Sequence, residues 1–305
     1  MGFTQACPNC SYQRKETDST PDWQCPSCGI AYAKVMAVNQ TLGAQRGTMT
    51  PLRAQTSRRD WFDRTLSLFL VMSILGLLVS WWIKDDLPDF RKITTELQND
   101  PIQRISRDQP FDFDYRKRTY SIEPVAEYEL WGLVVTHNDI TGMTDIIHDD
   151  DSVDIKDICV VWGDNVVNND YQKVIYSSGD FTCYYEYELP MDFSHDQLSN
   201  NHLLSDDEEI RERIRNIKIG DQVHLKGMLV NYSTAATPDW KRSTSTNRND
   251  TGNGACEVVF VEEFNILKST NRLAYFWFDI SFWLIVFFVL FKLTAIAFFP
   301  NFLKD

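Results

Sequence analysis

The strongest constraint on this chain is an uninterrupted apolar run over residues 66–83. Its eighteen residues, LSLFLVMSILGLLVSWWI, carry no charge. At about 1.5 Å of rise per residue they would form a helix roughly 27 Å long, close to the hydrocarbon thickness of a bilayer. Trp61 before the run and Trp81 and Trp82 at its end match the aromatic belts of membrane interfaces. The run predicts a transmembrane helix.

A second apolar run, at residues 273–299, is interrupted by Asp279 and Lys292. The twelve residues between these charges cover only about 18 Å, which is too short to cross a bilayer. A sufficient span results if Lys292 extends along its alkyl stem to one interface and Asp279 lies near the opposite headgroups. We favour this interpretation. The alternative places Asp279 inside the membrane as a proton or partner site, and the sequence leaves that choice open.

The charge is distributed unevenly around these runs. Residues 1–64 carry eight Lys or Arg and five Asp or Glu, whereas residues 84–272 carry 20 and 36. The arginines before the first run outnumber the basic residues just after it, which predicts a cytoplasmic amino terminus. With two spans, the carboxyl terminus returns to the cytoplasm and the acidic segment lies outside. A net charge of −13 argues against nucleic-acid binding by the chain as a whole.

Four cysteines near the amino terminus form the most specific motif. Two CPxC turns, the second followed by Gly29, are separated by fourteen residues, and their sulfurs belong to Cys7, Cys10, Cys25 and Cys28. Such turns present two sulfurs each to one ion, and together they predict a tetrahedral Zn²⁺ site. Iron also suits four thiolates, and two disulfides would require an oxidising compartment. A closed four-sulfur site leaves no position for a substrate, so we expect the zinc ribbon to be a docking module.

The acidic segment predicts a mainly β domain with one helix. Alternating β-branched and aromatic residues predict strands over residues 127–136, 155–162, 181–188, 222–232 and 257–267. Ser205 and Glu208 resemble a capping box before a helix that Gly220 ends. Five strands with a helix before the fourth favour an OB or SH3-like barrel, and a two-sheet sandwich is the alternative.

The acidic segment resembles a group of bacterial two-pass inner-membrane proteins without an assigned activity. The resemblance covers about half the chain and rests on the Asn201-His202-Leu203-Leu204 run, the helix after it, and the GDQVHLKG and GACE runs near residues 220 and 254. The CPSCGIAYAK run likewise resembles a zinc ribbon found at the start of bacterial membrane proteins. The resemblance implies a bacterial origin and names no reaction.

Three further cysteines, Cys159, Cys183 and Cys256, fall on predicted strands. In an oxidising compartment two of them would pair, and the sequence does not say which. An alternative makes Cys256 a nucleophile with His202 or His224 as its base, although no known nucleophile signature surrounds it. Aspartates around His148 suggest a solvated acidic loop rather than a calcium site, because the D-x-D-x-D-G spacing is absent. A mixed patch near Trp240 and Arg248 could contact a partner.

Together these features predict a multidomain protein of the bacterial inner membrane. Its segments are a zinc ribbon (1–37), a basic linker (38–65), transmembrane helices (66–83 and 273–299), an acidic extracytoplasmic β-rich domain (84–272) and a cytoplasmic tail (300–305). Because each side carries a binding-type module and no reaction centre is evident, we expect an accessory or scaffold protein. Its partners would be the bilayer and unidentified proteins, with a homo-oligomer as a further option. A transmembrane sensor and a periplasmic thiol-dependent enzyme are the alternatives.

Overall fold

The computed structural model describes residues 6–35, 58–140, 151–179, 182–252 and 254–298. The chain divides into two compact units, residues 1–66 and 67–305. Most of the linker proposed over residues 38–65, the carboxyl-terminal tail, and His148 with Asp145, Asp149 and Asp150 lie outside the described residues, whereas Asp151, Asp154 and Asp157 are described. The amino-terminal unit contains two short turns, each closed by a single antiparallel bridge, Ala6 with Gln13 and Gln24 with Ala31.

Two helices are long and apolar enough to cross a membrane. Helix α1 spans Arg58–Ile83, and the last long helix, α4, spans Arg272–Phe298. Helix α1 therefore begins eight residues before the start that the hydropathy pattern predicts. The two helices run antiparallel, since Phe69 stacks on Phe288 and the Lys292 amine donates to the Ser67 hydroxyl at 2.9 Å. Asp279 is exposed on the surface of α4, so its interfacial or functional role stays a prediction.

The polar residues between these helices form a mainly β domain with ten strands and two short helices in the described part of the chain. The strands are β1 (Ile102–Ile105), β2 (Phe111–Tyr115), β3 (Arg118–Asn138), β4 (Lys156–Val161), β5 (Ile175–Ser178), β6 (Cys183–Glu186), β7 (Leu198–Leu204), β8 (Gln222–Thr234), β9 (Thr237–Arg242) and β10 (Glu257–Lys268). The helices are α2 (Asp164–Val167) and α3 (Glu208–Arg215). All five predicted strands coincide with observed ones, whereas β1, β2, β5, β7 and β9 were not predicted.

Five strands pair in a closed ring. Strand β3 pairs with β4, β4 with β7, β7 with β10, β10 with β8, and β8 returns to β3. Only the β7–β10 pair of this ring is parallel. The 21-residue strand β3 serves two neighbours because register shifts at 124–126 and 134–136 bend it around the ring. Strands β1 and β2 also pair with β3, and β9 pairs with β8.

The ring encloses one apolar core, and its outer face carries two more. Inward-facing Leu130, Val160 and Leu225 are fully buried with neighbours from all five strands. Outside β3, β4 and β7, a second cluster lies under the β5–β6 hairpin and includes Val161 and Tyr171. The third cluster covers another part of the outside, beneath the aromatic residues of β2. The alternation of strand residues therefore separates the inside of the ring from its outer face.

Helix α3 begins two residues later than the capping box suggests. Its N-cap is Asp207, whose carboxylate accepts from the backbone N–H groups of Glu209 and Ile210 at 2.7 and 3.1 Å. Ser205 instead donates to Val261 O at 2.8 Å, which ties the chain to β10. The proposed Ser205 cap is therefore wrong, because a carboxylate two residues later satisfies the same donors. Gly220 follows the helix with a φ of 85°.

The β domain is attached to both long helices at one end. Strand β10 ends three residues before α4, and the Asn271 amide in this connection donates to Lys84 O at 3.2 Å and Asp86 O at 2.6 Å. The Tyr275 hydroxyl donates to Asp85, and Arg272 forms a 3.1 Å ion pair with Asp221. These contacts hold the entry and exit of the domain side by side.

Candidate metal centre and thiol site

The four amino-terminal cysteines converge on one point. Their sulfurs all lie within 4.8 Å of one another, with Cys7–Cys28 at 3.7 Å and Cys10–Cys25 at 3.6 Å. They could hold a metal ion. Among the described residues they are the one group of three or more His, Cys, Asp or Glu side chains placed closely enough to do so. The structure thus brings together the four cysteines that the sequence motif predicts as metal ligands.

The two turns that carry these cysteines have the same backbone geometry. In each, the N–H of the first cysteine donates to a carbonyl five residues later, at 2.8 Å to Tyr12 O and 2.9 Å to Ile30 O. The residue four positions after each first cysteine donates back to it and has a positive φ, which is 60° at Ser11 and 72° at Gly29. Glycine adopts this conformation without strain, which suits Gly29 to its position at the end of the second turn.

Backbone dipoles favour ionised sulfur at the second turn. Burial opposes ionisation of Cys25, but the N–H groups of Cys28 and Ser27 point at its sulfur and lower its pKa to about 6. The N–H of Ile30 is the main cause of a lowered pKa at Cys28. Because thiolates are the species that bind metals, this electrostatic environment prepares the turn for an ion.

A small shell of side chains surrounds the four sulfurs. Tyr32 is buried with Cys7 and Cys25, and Tyr12 and Ile30 pack against them. Trp23 is 61% exposed and does not belong to this shell. Arg14 holds the connection between the turns, since its guanidinium donates to Pro21 O and Gln24 O at 3.1 Å each.

The remaining three cysteines lie on the outer face of the ring. Cys159 of β4 and Cys183 of β6 form a disulfide with a Cα–Cα distance of 6.2 Å, which resolves the pairing that the sequence left open. Cys256 carries a thiol and is half-buried. It lines a cavity of about 540 Å³ between the start of β7, the β5–β6 hairpin and the loop before β10, and Cys183 lines the same cavity.

Of the two candidate bases for Cys256, the structure brings His202 to the thiol. Cys256 is hydrogen-bonded to His202, and the Asn200 amide donates to its sulfur at 3.5 Å. His224 lies elsewhere, hydrogen-bonded to Glu129 at 2.8 Å and stacked on Trp131. His202 could be matched to Cys256 only with the parallel β7–β10 register, which the sequence does not reveal.

A carboxylate orients the His202 ring. His202 and Asp157 are 2% and 3% exposed, and Nδ1 lies 2.6 Å from the Asp157 carboxylate oxygen Oδ1. Arg242 Nη2 lies 2.6 Å from Nε2. A guanidinium only donates, so in this geometry Nε2 accepts and Nδ1–H donates to Asp157. Asp157 lies within the strand predicted over residues 155–162, observed as β4, directly opposite His202 of β7.

The electrostatics of the cluster favour transfer of the thiol proton to the imidazole. Burial lowers the pKa of His202, but its hydrogen bonds with Asp157 and Cys256 outweigh burial and raise the pKa to about 9. Burial alone would raise the pKa of Cys256, yet the hydrogen bonds from His202 and Asn200 bring it below its ordinary value. An adjacent base with these properties increases the thiolate fraction and therefore the nucleophilicity of a cysteine.

No family model, curated protein or solved structure matches this chain in comparisons with known proteins. The functional assignment therefore depends on the residues and their geometry.

Proposed function

We propose that this chain is a membrane-anchored accessory protein that links a cytoplasmic partner, bound by its zinc ribbon, to a partner at the outer surface of a bacterial inner membrane. The observation that carries this proposal is the distribution of sulfur chemistry. Four clustered thiols precede the apolar segment of α1, and the Cys159–Cys183 disulfide follows it. Metal thiolates suit a reducing compartment and disulfides an oxidising one, which supports opposite sides of a membrane for the two units.

Zinc is the ion that we propose for the four sulfurs. A tetrahedron with Zn–S bonds of about 2.3 Å has edges of roughly 3.8 Å, and the two closest sulfur pairs, at 3.6 and 3.7 Å, are near that value. Such a site is saturated by protein ligands, so its role is to fold a unit of about 30 residues that has little apolar core. The folded ribbon would then present a protein-binding surface.

For the outer domain we propose a fold of the OB type. If β3, β4, β7, β8 and β10 are counted as strands one to five, the ring order is one, two, three, five, four, with α3 between the third and fourth strands. The closed ring with its parallel third and fifth strands favours this fold over a sandwich. Membership of the bacterial group described above is part of the same proposal.

The membrane arrangement can be tested with a matched pair of exposed tryptophans. Trp23 in the ribbon is 61% exposed and Trp240 in the β domain is 57% exposed, so cysteines at these positions should react similarly once accessible. In intact spheroplasts, with Cys256→Ser in both variants so that the native thiol of the outer domain does not react, a membrane-impermeant maleimide should label Trp240→Cys and should label Trp23→Cys only after lysis. Labelling of both variants before lysis would end the proposal, because both units would then lie on one side.

The accessory role can be tested by purification from detergent. The full chain should retain a stoichiometric partner that is lost from a Cys25→Ser/Cys28→Ser variant, whose ribbon cannot bind metal. A matched variant, Asp22→Asn, changes a fully exposed carboxylate and should keep the partner. If the two variants retain the same proteins as the full chain, the ribbon is not a docking module and the proposal fails.

A sensor is the second candidate, and one observation favours it. The 540 Å³ cavity lies in a domain whose last strand continues into α4 through three residues, so a ligand could act on the helix directly. A sensor should keep the stoichiometry of its partner and change the affinity with a ligand. If no ligand of the cavity changes the affinity for the partner, the sensor hypothesis fails and the accessory role remains.

A further inference from the structure

Two sulfur groups in different oxidation states share one cavity in the β domain. Cys256 contributes a thiol to its lining, and Cys183 contributes one end of the Cys159–Cys183 disulfide. Cys159 is only 1% exposed, whereas Cys183 is partly exposed. Of the two disulfide sulfurs, that of Cys183 is therefore the one open to attack from the cavity.

The strand register explains why these sulfurs are neighbours. Cys159 is directly opposite Asn200 in the β4–β7 pair, and Asn200 in turn donates to the Cys256 sulfur at 3.5 Å. Glu257 pairs with Asn201, so Cys256 lies beside Asn200 on the same outer face. Adjacent strands are about 4.8 Å apart, which places the Cys159 and Cys256 backbones roughly 10 Å from each other. Cys183 is bonded to Cys159 and lines the same cavity as Cys256.

His202 and Asp157 supply what a nucleophilic thiol needs. His202 is opposite Val258 in the parallel β7–β10 pair, two residues along from Cys256, and its ring is fixed by the 2.6 Å contact between Nδ1 and Asp157. This is the arrangement of nucleophile, base and orienting carboxylate that activates cysteine nucleophiles. Arg242 occupies the Nε2 lone pair at 2.6 Å, so it must yield that position when the imidazole takes a proton.

We propose that Cys256, His202 and Asp157 form a thiol–disulfide exchange site that takes disulfides as substrates, with Cys159–Cys183 as its resident disulfide. In the exchange, His202 accepts the Cys256 proton and the thiolate attacks the Cys183 sulfur. The Cys256–Cys183 bond forms as the Cys159–Cys183 bond breaks, and the electron pair leaves on Cys159, which regains one proton. Electrons and protons balance, so no further oxidant or reductant is consumed. A peptide or small-molecule disulfide in the cavity would be attacked in the same way and would release one thiolate.

The charged groups that face Cys256 determine how this reactivity depends on pH. Besides His202 and Asp157, they are Arg242 of β9, Glu257 of β10, Arg248 and Asp250 of the preceding loop, and His195 across the cavity. His202 and the two arginines favour the thiolate form of Cys256, whereas the carboxylates oppose it. We therefore expect Cys256 to react faster near neutral pH than an ordinary thiol does.

Trapping variants test whether Cys183 and Cys256 can pair. In the full chain in detergent, Cys159→Ser leaves Cys183 without its partner, and a Cys183–Cys256 disulfide should form on mild oxidation. Cys183→Ser is the matched control, since it leaves Cys159 and Cys256 separated by β7. Peptide mapping without reduction identifies the bonds. Failure of the first variant to form the bond, or equal bond formation in the second, would overturn the proposal.

A second measurement needs no change at the disulfide. The unchanged full chain, equilibrated at pH 7.5 and quenched in acid, should contain a minor fraction with a Cys183–Cys256 bond and a Cys159 thiol. In parallel, Cys256 of the unchanged protein should react with 2,2′-dithiodipyridine several-fold faster at pH 7 than Cys256 of a His202→Asn variant, because loss of the imidazole lowers the thiolate fraction. Far-UV circular dichroism confirms that each variant is folded.

The outcomes distinguish thiol–disulfide exchange from other reactions of Cys256 and from the accessory function. Fast alkylation of Cys256 without reaction towards any disulfide would assign the thiol to another nucleophilic chemistry and overturn the exchange site. If Cys256 reacts at the same rate in the unchanged protein and in the His202→Asn variant, His202 is not the base and the proposal is overturned. The accessory function could fail in the purification experiment while these rates remain, so the two proposals stand or fall separately.

Discussion

Gly76 of α1 lies directly against Ser281 of α4. A β-carbon added to Gly76 would stand 2.8 Å from the Ser281 hydroxyl oxygen, and Ser281 is only 4% exposed. Ser73 and Ser80, on the same side of α1, are also buried. Small residues of this kind let two apolar helices approach closely, which is how helices associate where lipid removes the hydrophobic driving force.

A leucine at position 76 should separate the two helices. Phe69 and Phe288 have ring centroids 6.2 Å apart, so a chain with Phe69→Cys and Phe288→Cys should form a disulfide in membranes. Adding Gly76→Leu should reduce that cross-link several-fold. Leu78→Phe, at a 52% exposed position of the same helix, is the control and should leave it intact. An unchanged cross-link with Gly76→Leu would contradict the packing.

The metal centre predicts one tetrahedrally bound ion per chain. Elemental analysis of the purified protein should find one equivalent of zinc, and Cys25→Ser should lose it because Cys25 supplies a buried sulfur of the site. Cys256→Ser should keep the metal, since Cys256 belongs to the β domain. A chelator should unfold the ribbon and leave the circular dichroism of the β domain unchanged. Iron in place of zinc would correct the identity of the ion and not its ligands.

Glu257 makes the stability of the β domain depend on pH. Its side chain is 5% exposed, and Oε2 has no hydrogen-bond partner among the described residues. Burial, with smaller contributions from Cys256 and Asp250, raises the pKa of Glu257 to about 8. Between about pH 4.5 and pH 8 the folded chain therefore holds a proton that the unfolded chain has lost. The free energy of unfolding should fall as the pH rises through this window and level off above it.

Glu257→Gln removes this dependence. The amide is neutral at every pH, so the variant should be more stable than the unchanged protein at pH 8.5, by a few kcal/mol, and similar to it at pH 5. Denaturation in detergent, followed by tryptophan fluorescence at both pH values, measures the difference. Glu263→Gln, at a side chain 57% exposed, should change little. Parallel pH curves for Glu257→Gln and the unchanged protein would contradict the assignment.

Lys156 has a structural role that a substitution should expose. Its amine is buried and donates to Arg215 O at 3.0 Å and Ile217 O at 2.9 Å, and it pairs with Asp139 at 2.6 Å. It therefore satisfies carbonyls at the end of α3. Lys156→Met should cost about 2 kcal/mol, because two carbonyls at the end of α3 lose their donor and Asp139, whose side chain is 53% exposed, loses its ion-pair partner. Lys226→Met, at a half-exposed lysine, should cost less than about 1 kcal/mol. Equal losses in the two variants would contradict this role.

The Cys159–Cys183 disulfide should stabilise the β domain measurably. It closes a segment with a sequence separation of 24, for which the chain-entropy argument gives about 3 kcal/mol. Cys159→Ser/Cys183→Ser should lower the free energy of unfolding by that order, and adding a reductant to this double variant should have no further effect on the β domain. A large effect of reductant on the double variant would mean that another sulfur bond supports the domain.

Local patterns in the sequence predicted the elements that depend on local physics. A charge-free run predicts α1, paired CxxC turns predict the four-sulfur cluster, and alternation predicts β8 and β10. The cap of α3 was misplaced because Ser205 and Asp207 offer equivalent oxygen acceptors within two residues. Strand β7 was missed because its SNNHL run is polar, and its burial on both faces follows only from the strands that enclose it.

The thiol site shows where sequence reasoning ends. Asp157 lies on β4, His202 lies on β7 and Cys256 directly precedes β10, so their meeting depends on one antiparallel and one parallel register. A single sequence contains no signal for either register. The sequence therefore offered two bases for Cys256 and three ways to pair its cysteines, and only the closed ring selects among them.

The position of β10 has a consequence for synthesis of the chain. This strand lies between β7 and β8, and its end is only three residues from α4. The ring cannot close until synthesis has passed β10, so α1 remains without its antiparallel neighbour while the roughly 190 residues between the two long helices emerge. The β domain is therefore completed at almost the same time as helix α4 is synthesised. A product truncated before β10 would have an open sheet edge, which would make it a target for quality-control proteases.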